Sequence, residues 1–181
     1  FFIQLLTACT LPLCDLYLYN LHGLWAIEAI PLYVGVVLTV IFVVLVINAI
    51  NMIDGIDGLA SMLSIGCLLC FGFCYWDSGN MIYCYISAAM IGALMVFLYY
   101  NMFGSVEKKT KTYLGDSGSM LLGFSLAYLS VKYIVAEDGA SLDASARILL
   151  CISLLFVPCI DLCRVALERI VHGEHPFSPD K

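Results

Sequence analysis

Charged residues are scarce in this chain of 181 residues, making up 12% of the sequence against 62% for hydrophobic residues. A soluble domain of this size cannot hide that much apolar surface, so the composition excludes a soluble globular protein and predicts an integral membrane protein. Only eight lysine and arginine residues are present, and they form no basic stripe. We therefore expect no nucleic-acid partner.

The chain also lacks the spacing of a zinc site or a disulfide framework, although it contains nine cysteines. Cys67 and Cys70 form a C-x-x-C pair, but neither a second pair nor a histidine pair with zinc spacing accompanies it. Most of the cysteines lie within apolar runs, where a thiol acts as a small apolar side chain. We interpret them as packing residues of membrane helices.

Apolar runs dominate the sequence, and six of them are long enough to span or nearly span a bilayer, which takes roughly 17 to 25 residues. The first is the weakest because Pro12 and Asp15 interrupt it. No internal repeat, low-complexity linker or signal-peptide pattern breaks the series. The sequence therefore predicts an all-α, polytopic membrane bundle of about six transmembrane helices, in a single domain over residues 1–181. The runs are 1–19, 32–50, 59–76, 81–100, 118–135 and 146–168.

The charges between the runs predict the orientation of the bundle. Basic residues gather after the fourth run and at or after the end of the sixth, whereas the connection 136–144 is acidic. By the positive-inside rule, the two basic regions are cytoplasmic and the acidic connection is external. Counting spans backwards then places the turn at 48–58 on the cytoplasmic side as well. The basic residues are Lys108, Lys109, Lys111, Arg164, Arg169 and Lys181.

The first polar stretch, residues 48–59, follows about sixteen almost wholly apolar residues. Asn48, Asn51 and Asp54 are spaced by three, so successive members are neighbours on a helix surface. Two glycines in the stretch predict that the helix ends before Asp57. Such a cluster of oxygen ligands at a helix end suits a hard cation such as Mg²⁺. The alternative is an ordinary helix C-terminus with a glycine-rich turn.

The second polar stretch, residues 113–119, opens the fifth run and contains Asp116 between small and hydroxyl residues. One interpretation is a helix N-cap, with Ser119 three residues further on. The other is functional, because a helix N-terminus offers free N–H groups and a positive dipole end to phosphate. Asp116 would then hold the metal ion that bridges this phosphate.

The remaining polar residues have simpler interpretations. Asp161 and Arg164 are three apart in the sixth run and are expected to pair on one helix face. Residues 172–181 are too polar and proline-rich for a span and are interpreted as a cytoplasmic loop, in which His175 would ordinarily be solvated. Asn101, directly after the fourth run, is typical of a turn or cap.

Together these stretches resemble the polyprenyl-phosphate N-acetylhexosamine-1-phosphate transferases, a membrane family of the glycosyltransferase family 4 type. Three segments carry the resemblance in the family's order: N-A-x-N-M-x-D-G-x-D-G-L at 48–59, L-G-D-S-G-S at 114–119 and P-F-S-P-D at 176–180. The third is similar to the bacterial branch that uses UDP-GlcNAc. The resemblance implies transfer of GlcNAc-1-phosphate from UDP-GlcNAc to a polyprenyl (undecaprenyl) phosphate, with release of UMP.

The resemblance also implies roles for individual residues. Asn51 and Asp116 are the implied ligands of Mg²⁺, with Mn²⁺ as an alternative ion. Asp54 and Asp57 join Asp116 as implied catalytic residues and shape the nucleotide and metal pocket. Tyr113 is expected to stack on the uracil. The implied substrate-binding residues are Asn48, Asn101, Tyr113, His175 and Asp180.

The same resemblance implies the partners and the location. The expected partners are a UDP-N-acetylhexosamine, a polyprenyl phosphate lipid and the membrane, and a homodimer is compatible with them. The expected location is the bacterial inner membrane, with several spans and a cytoplasmic active site. A lipid acceptor and a water-soluble donor can meet only at the membrane surface, where the polar stretches are predicted to lie.

Two features of the family's pattern are missing from the sequence. Family members carry an aspartate pair in an earlier cytoplasmic loop, and no D-D pair occurs in this sequence. They also carry a histidine cluster directly after the segment that matches 176–180. We therefore expect that this sequence is a fragment and that it is inactive alone.

Two other classes of protein compete with this interpretation. A small membrane transporter or channel subunit would place polar groups near the midplane of broken helices, whereas most of them gather at one face in the predicted bundle. A purely structural membrane protein would use each polar stretch only as a cap or turn. That interpretation treats three ordered, family-like segments as coincidence.

Overall fold

The computed structural model describes residues 2–24, 28–105, 107, 109–136 and 142–171, and over these residues the fold is all-α. The prediction of an all-α bundle is therefore confirmed. Outside the helices, the described residues contain one isolated antiparallel bridge, between Asn20 and Ala29. The helices are α1 (Phe2–Leu13), α2 (Leu32–Ile53), α3 (Leu59–Asp77), α4 (Met81–Phe103), α5 (Gly115–Val135) and α6 (Ala144–Val171).

Five of the described helices, α2 to α6, are long and apolar enough to cross a membrane. The 22 residues of α2, for example, extend for about 33 Å, which matches the roughly 30 Å of a bilayer core. The described part of α1 has only 12 residues and ends at Leu13, so the predicted first span over residues 1–19 is too long. The helix ends there because Asp15 adopts a left-handed backbone, with φ of 57°.

Helix α2 is the centre of the bundle, since it packs against α1, α3, α5 and α6. Its buried face meets the buried face of α5, which also contacts α3 and α6. Helix α4 packs mainly on α3 and leaves most of its apolar side chains exposed, as expected for a helix that faces lipid. The core residues include Val43, Val46, Ile47 and Ile50 of α2, Leu68 and Phe71 of α3, and Leu126 and Leu129 of α5.

A glycine allows α2 and α5 to approach closely. A Cβ atom added at Gly123 would lie 2.7 Å from the Cα of Ile47, closer than real Cβ contacts come. Small residues at such crossings are how membrane helices bring their backbones together. Asn51 follows Ile47 by one turn and Ser119 precedes Gly123 by one turn, so the crossing also brings these two polar residues together.

The C-terminal end of α5 is held by a buried arginine. Arg147 is 7% exposed, and its guanidinium donates to the backbone carbonyls of Tyr133, at 3.2 Å, and Ala136. A cation at a helix C-terminus satisfies carbonyls that have no partner within the helix and complements the helix dipole. Arg147 therefore fixes the start of α6 against the end of α5.

Candidate active site

The site forms where α2 ends, and the sequence explains why it ends there. Helix α2 stops at Ile53 and Asp54 occupies the C-cap position, which confirms the predicted helix end before Asp57. Gly58 occupies the N-cap position of α3 with φ of 77°, a left-handed backbone that favours glycine. A Cβ atom at Gly58 would also lie 2.6 Å from the sulfur of Met102. The turn at 54–58 is therefore tightly seated against the end of α4.

Asn51 joins the end of α2 to the first turns of α5. Its Nδ2 donates to Ser119 Oγ at 2.7 Å and to Asp116 Oδ1 at 3.4 Å. The Ser119 hydroxyl in turn donates to the carbonyl of Gly115 at 3.0 Å, so it accepts from Asn51 while bonding its own helix. Asn51 and Asp116 are 65 residues apart in the sequence. Their bond therefore brings the first and second polar stretches together at one end of the bundle.

Asp54 follows Asn51 by three residues and lies near enough to Asp116 for their charges to repel each other; these two side chains are called the carboxylate pair. Burial raises the pKa of Asp54, and the negative charge of Asp116 raises it further. A divalent cation held by these carboxylates would offset both the repulsion and the cost of partly burying the charge of Asp54. The donor chemistry therefore fits Mg²⁺, since carboxylate and amide oxygens are hard ligands.

The number of acidic groups also fits that ion. In the part of the chain that the structure describes, no three or more His, Cys, Asp or Glu side chains gather as a metal site. Mg²⁺ is commonly bound by one or two carboxylates together with water and substrate phosphates. The carboxylate pair thus has the composition of a site completed by a phosphate ligand.

Asp116 is not the helix N-cap that its position suggested. Helix α5 begins at Gly115, Leu114 occupies the N-cap position, and no side chain caps the helix by a hydrogen bond. Asp116 lies in the first helical turn and is exposed. Its carboxylate still complements the positive end of the helix dipole, but the capping interpretation is wrong.

Asn101 forms a second cluster beside the carboxylate pair. Its side chain is buried, and its Oδ1 accepts from the Gly58 N–H at 2.7 Å. Its Nδ2 donates to the carbonyl of Thr112 at 2.9 Å and to Asp57 Oδ1 at 3.4 Å. Asn101 thereby ties together the α2–α3 turn, the end of α4 and the connection that leads to α5.

Asp57 belongs to this second cluster through an ion pair. The Lys111 Nζ lies 2.6 Å from Asp57 Oδ2, and this hydrogen bond raises the pKa of Lys111. The same Nζ lies 5.5 Å from the centre of the Tyr113 ring, within the range of a cation–π contact. Tyr113 is 68% exposed, so its ring is accessible from outside the protein.

Asn48 lies apart from both clusters. Its Nδ2 donates to the carbonyl of Val44 at 2.7 Å, and its Oδ1 accepts from Gln4 Nε2 of α1 at 3.4 Å. It borders an apolar cavity of about 240 Å³ between α1, α2 and α6. The other lining residues are Leu5, Val40, Ile41, Val44, Leu45 and Leu162.

Some of the other predicted residues are described by the structure and some are not. His175 and Asp180 lie outside the described residues. Asp161 accepts from the Nε and Nη2 of Arg164, at 3.1 and 2.9 Å, on the surface of α6, which confirms the expected pairing within one helix. The roles predicted for Asp54, Asp57, Asp116, Asn48, Asn51, Asn101 and Tyr113 in catalysis, metal binding or substrate binding stay predictions.

In the sequence, Lys111 bears only on the orientation of the bundle, and its contact with Asp57 is not predicted. The connection before α5 has no helical period, so no pattern in the sequence indicates which residue faces the α2–α3 turn. The one hint in the sequence is that a lysine lies five residues before Asp116. This lysine can be assigned to Asp57 only when it is known that the neighbouring Thr112 contacts Asn101, which also binds the α2–α3 turn.

Replacing Asn101 with alanine is expected to destabilise the protein. The buried Gly58 N–H would lose its acceptor, and an unsatisfied buried group costs about 1–3 kcal/mol. The measurement is the thermal unfolding midpoint of the purified protein in detergent. Asn80→Ala is the matched control, because Asn80 at the other end of α4 makes no side-chain capping bond. Equal midpoints for the two variants would contradict the role given to Asn101.

The fold and the site together define a class: a polytopic membrane protein with a carboxylate pair at one end of the bundle, suited to a divalent cation and a phosphate ligand. Residues 1–134, which include both clusters, match the family described as "Glycosyl transferase family 4". The chain belongs to this family, as the resemblance in its motifs predicted.

Similar curated proteins carry related names. The chain is 30% identical over 110 residues to the undecaprenyl-phosphate alpha-N-acetylglucosaminyl 1-phosphate transferase of Salmonella typhi, covering 61% of this chain and 28% of that protein. The protein of the same name from Escherichia coli K12 is 32% identical over 113 residues, with 61% and 28% covered. The decaprenyl-phosphate N-acetylglucosaminephosphotransferase of Mycobacterium tuberculosis H37Rv is 33% identical over 124 residues, with 64% and 30% covered. The chain thus spans under a third of the length of these relatives.

Proposed function

We propose that the protein transfers GlcNAc-1-phosphate from UDP-GlcNAc to a polyprenyl phosphate, releases UMP and so begins the synthesis of a lipid-linked glycan. The observation that carries this proposal is the bond from Asn51, at the end of α2, to Asp116, in the first turn of α5, with the carboxylate of Asp54 near enough to interact with that of Asp116. Family membership and the names of the similar proteins support the choice of substrates.

Asp54 and Asp116, with the Asn51 amide oxygen, are the residues that would hold Mg²⁺, or Mn²⁺ in its place. When bound, this ion supplies charge neutralisation for the donor diphosphate. Asn51 of α2 donates to the carboxylate of Asp116 in α5, which helps to position that carboxylate relative to the end of α2. The free N–H groups at the start of α5 provide a further site for phosphate.

The transfer itself needs positioning rather than a reactive side chain. A phosphate oxygen of the lipid acceptor forms a bond to the β-phosphorus of UDP-GlcNAc. The bond from that phosphorus to the bridging oxygen breaks, and UMP leaves with the electron pair. This balance is the same for direct attack and for two successive displacements through the protein. The exposed ring of Tyr113, beside Lys111 and Asp57, offers a stacking surface for the uracil.

The apolar cavity between α1, α2 and α6 supports a lipid acceptor. Asn48 borders it and lies one helical turn before Asn51, so the cavity reaches the polar end of α2. Apolar walls suit a polyprenyl chain, whose headgroup would then lie near the carboxylate pair. We also propose a multi-pass location in the bacterial inner membrane, with the site on the cytoplasmic face and a homodimer as a compatible assembly.

The orientation can be tested with reporters. A reporter active only outside the cytoplasm should be active when inserted near Asp138 and silent near Lys109, because basic connections stay inside. The opposite pattern would put the site on the face that lacks nucleotide sugars and would contradict the proposed function.

The reaction can be tested with UDP-GlcNAc labelled in the sugar and membranes that contain the full-length protein. We expect Mg²⁺-dependent label in a lipid extract, and release of that label when excess UMP drives the reaction backwards. Asp77→Asn is the matched control, since this exposed carboxylate lies at the other end of α3 and should not affect turnover. Absence of labelled lipid at normal protein levels would contradict the proposal.

A further inference from the structure

Lys111 is placed where three parts of the site meet. Its Nζ contacts Asp57 of the α2–α3 turn at 2.6 Å and lies 5.5 Å from the centre of the Tyr113 ring. The backbone of its neighbour, Thr112, accepts a hydrogen bond from the buried Asn101. The connection before α5 is therefore held at two points: to Asn101 of α4 by a hydrogen bond, and to the α2–α3 turn by an ion pair.

The ion pair also distinguishes Asp57 from the two other acidic residues at this end of the bundle, Asp54 and Asp116. Asp57 is paired with Lys111, whereas the carboxylate of Asp54 faces the like charge of Asp116. Without Lys111, a third uncompensated carboxylate would stand near the place where an anionic donor must bind. Like charges at short distance disfavour binding of that donor.

We propose that Lys111 is a positioning residue for the nucleotide. By pairing with Asp57, it holds the connection at 110–114, and with it the Tyr113 ring, against the α2–α3 turn, and it removes the charge of Asp57 from the path of the donor. This inference rests on the proposed function, since it concerns the donor side of the same site. Lys111 acts through Asp57 and Tyr113 rather than by contact with the reacting atoms.

A direct role for Lys111 would have a different signature. If its ammonium bound the donor phosphates itself, removing Lys111 and removing Asp57 would weaken binding independently. If Lys111 acts through Asp57, the two substitutions affect the same contact, and their effects do not add. The pair is only partly covered, with side-chain exposures of 21% for Lys111 and 49% for Asp57. A moderate effect is therefore expected rather than a loss of folding.

The test is a double-mutant cycle in the full-length protein with Lys111→Met, Asp57→Asn and both together. The affinity for UMP in the presence of Mg²⁺ is measured by calorimetry, and KM and kcat for UDP-GlcNAc are measured for Lys111→Met. We expect Lys111→Met to weaken UMP binding and raise KM about tenfold, a loss of roughly 1.4 kcal/mol, with kcat nearly unchanged. The double variant should bind UMP no worse than Asp57→Asn alone.

Two further variants complete the design. Lys111→Arg keeps a cation that can pair with Asp57 and should restore most of the affinity. Lys109→Met removes one positive charge from the same connection and should leave UMP affinity unchanged, which separates pairing from general electrostatics. Additive losses in the cycle, or a fall in kcat with KM unchanged, would overturn the positioning role.

A second measurement separates failure of this inference from failure of the proposed function. A wild-type protein that neither binds UMP nor makes labelled lipid would overturn the proposed function. The contact between Lys111 and Asp57 could then still be tested by the thermal unfolding midpoints of the wild type, the two single variants and the double variant. Losses smaller than additive would support Lys111 as the residue that holds the connection to the turn, and additive losses would overturn it.

Discussion

Asp116→Asn is expected to lower the turnover of the full-length protein about a hundredfold or more, as does loss of one strong electrostatic stabiliser. The substitution removes a negative ligand from a hard cation that prefers carboxylate oxygen. The fold should persist, because an asparagine oxygen can still accept the bond that Asn51 donates to position 116. Asp116→Ser should be equally inactive. The measurement is a magnesium-titrated rate on membranes with matched protein levels.

The structure sharpens what this substitution tests. Asp116 makes no capping hydrogen bond, so loss of a cap cannot account for a fall in activity. Apart from the bond accepted from Asn51, which asparagine can keep, its structural role lies in the dipole of α5 and is worth about 0.3–1 kcal/mol in stability. An unchanged unfolding midpoint with a large loss of rate would therefore locate the effect in the reaction. Near-normal turnover of Asp116→Asn at ordinary Mg²⁺ would remove Asp116 from the proposed metal site.

Gly123→Leu is expected to cause the largest loss of stability. A side chain at this position would collide with the backbone of α2 at Ile47, and overpacking of a core costs up to about 3 kcal/mol. Separation of α2 and α5 would also pull Asn51 away from Ser119 and Asp116, so activity should fall with stability. The measurement is the fraction of protein that remains monodisperse in detergent after a graded heat step, together with turnover.

Gly92→Leu is the matched control for this substitution. Gly92 lies in α4, and a Cβ atom added there meets no atom within 4 Å. A leucine on this lipid-facing helix should leave both stability and turnover close to those of the wild type. Equal effects at the two glycines would contradict the close crossing of α2 and α5 on which the site depends.

The sequence predicted those parts of the fold that depend on local pattern. Long apolar runs indicated the helices, and the glycines after Asp54 indicated where α2 ends. The start of α5 was misplaced, because Gly115 begins the helix with φ of 66° and a motif of this kind does not distinguish an N-cap from a first turn. The predicted first span was also too long. Hydropathy alone does not indicate that Asp15 adopts the left-handed backbone after which α1 cannot continue.

The site was predictable as two stretches on one face but not as a set of contacts. The bond from Asn101 to the Gly58 N–H joins residues 43 apart, and the pair of Lys111 with Asp57 joins residues 54 apart. Such contacts depend on how α3 and α4 pack against each other. The periodicity of apolar residues in each helix does not determine that packing. Asn48 could be placed on the face of Asn51 and Asp54 by spacing, while its bond with Gln4 could not, because that bond depends on how α1 packs against α2.

The most direct test of the central claim follows the two phosphates of the donor. UDP-GlcNAc labelled with ³²P at the β-phosphate should give radioactive lipid in membranes that contain the full-length protein, whereas the α-label should appear in UMP. Asp116→Asn membranes should give neither product above background. Transfer of the sugar to lipid without its β-phosphate, with release of UDP, would contradict the account, and so would β-labelled lipid formed equally well by Asp116→Asn.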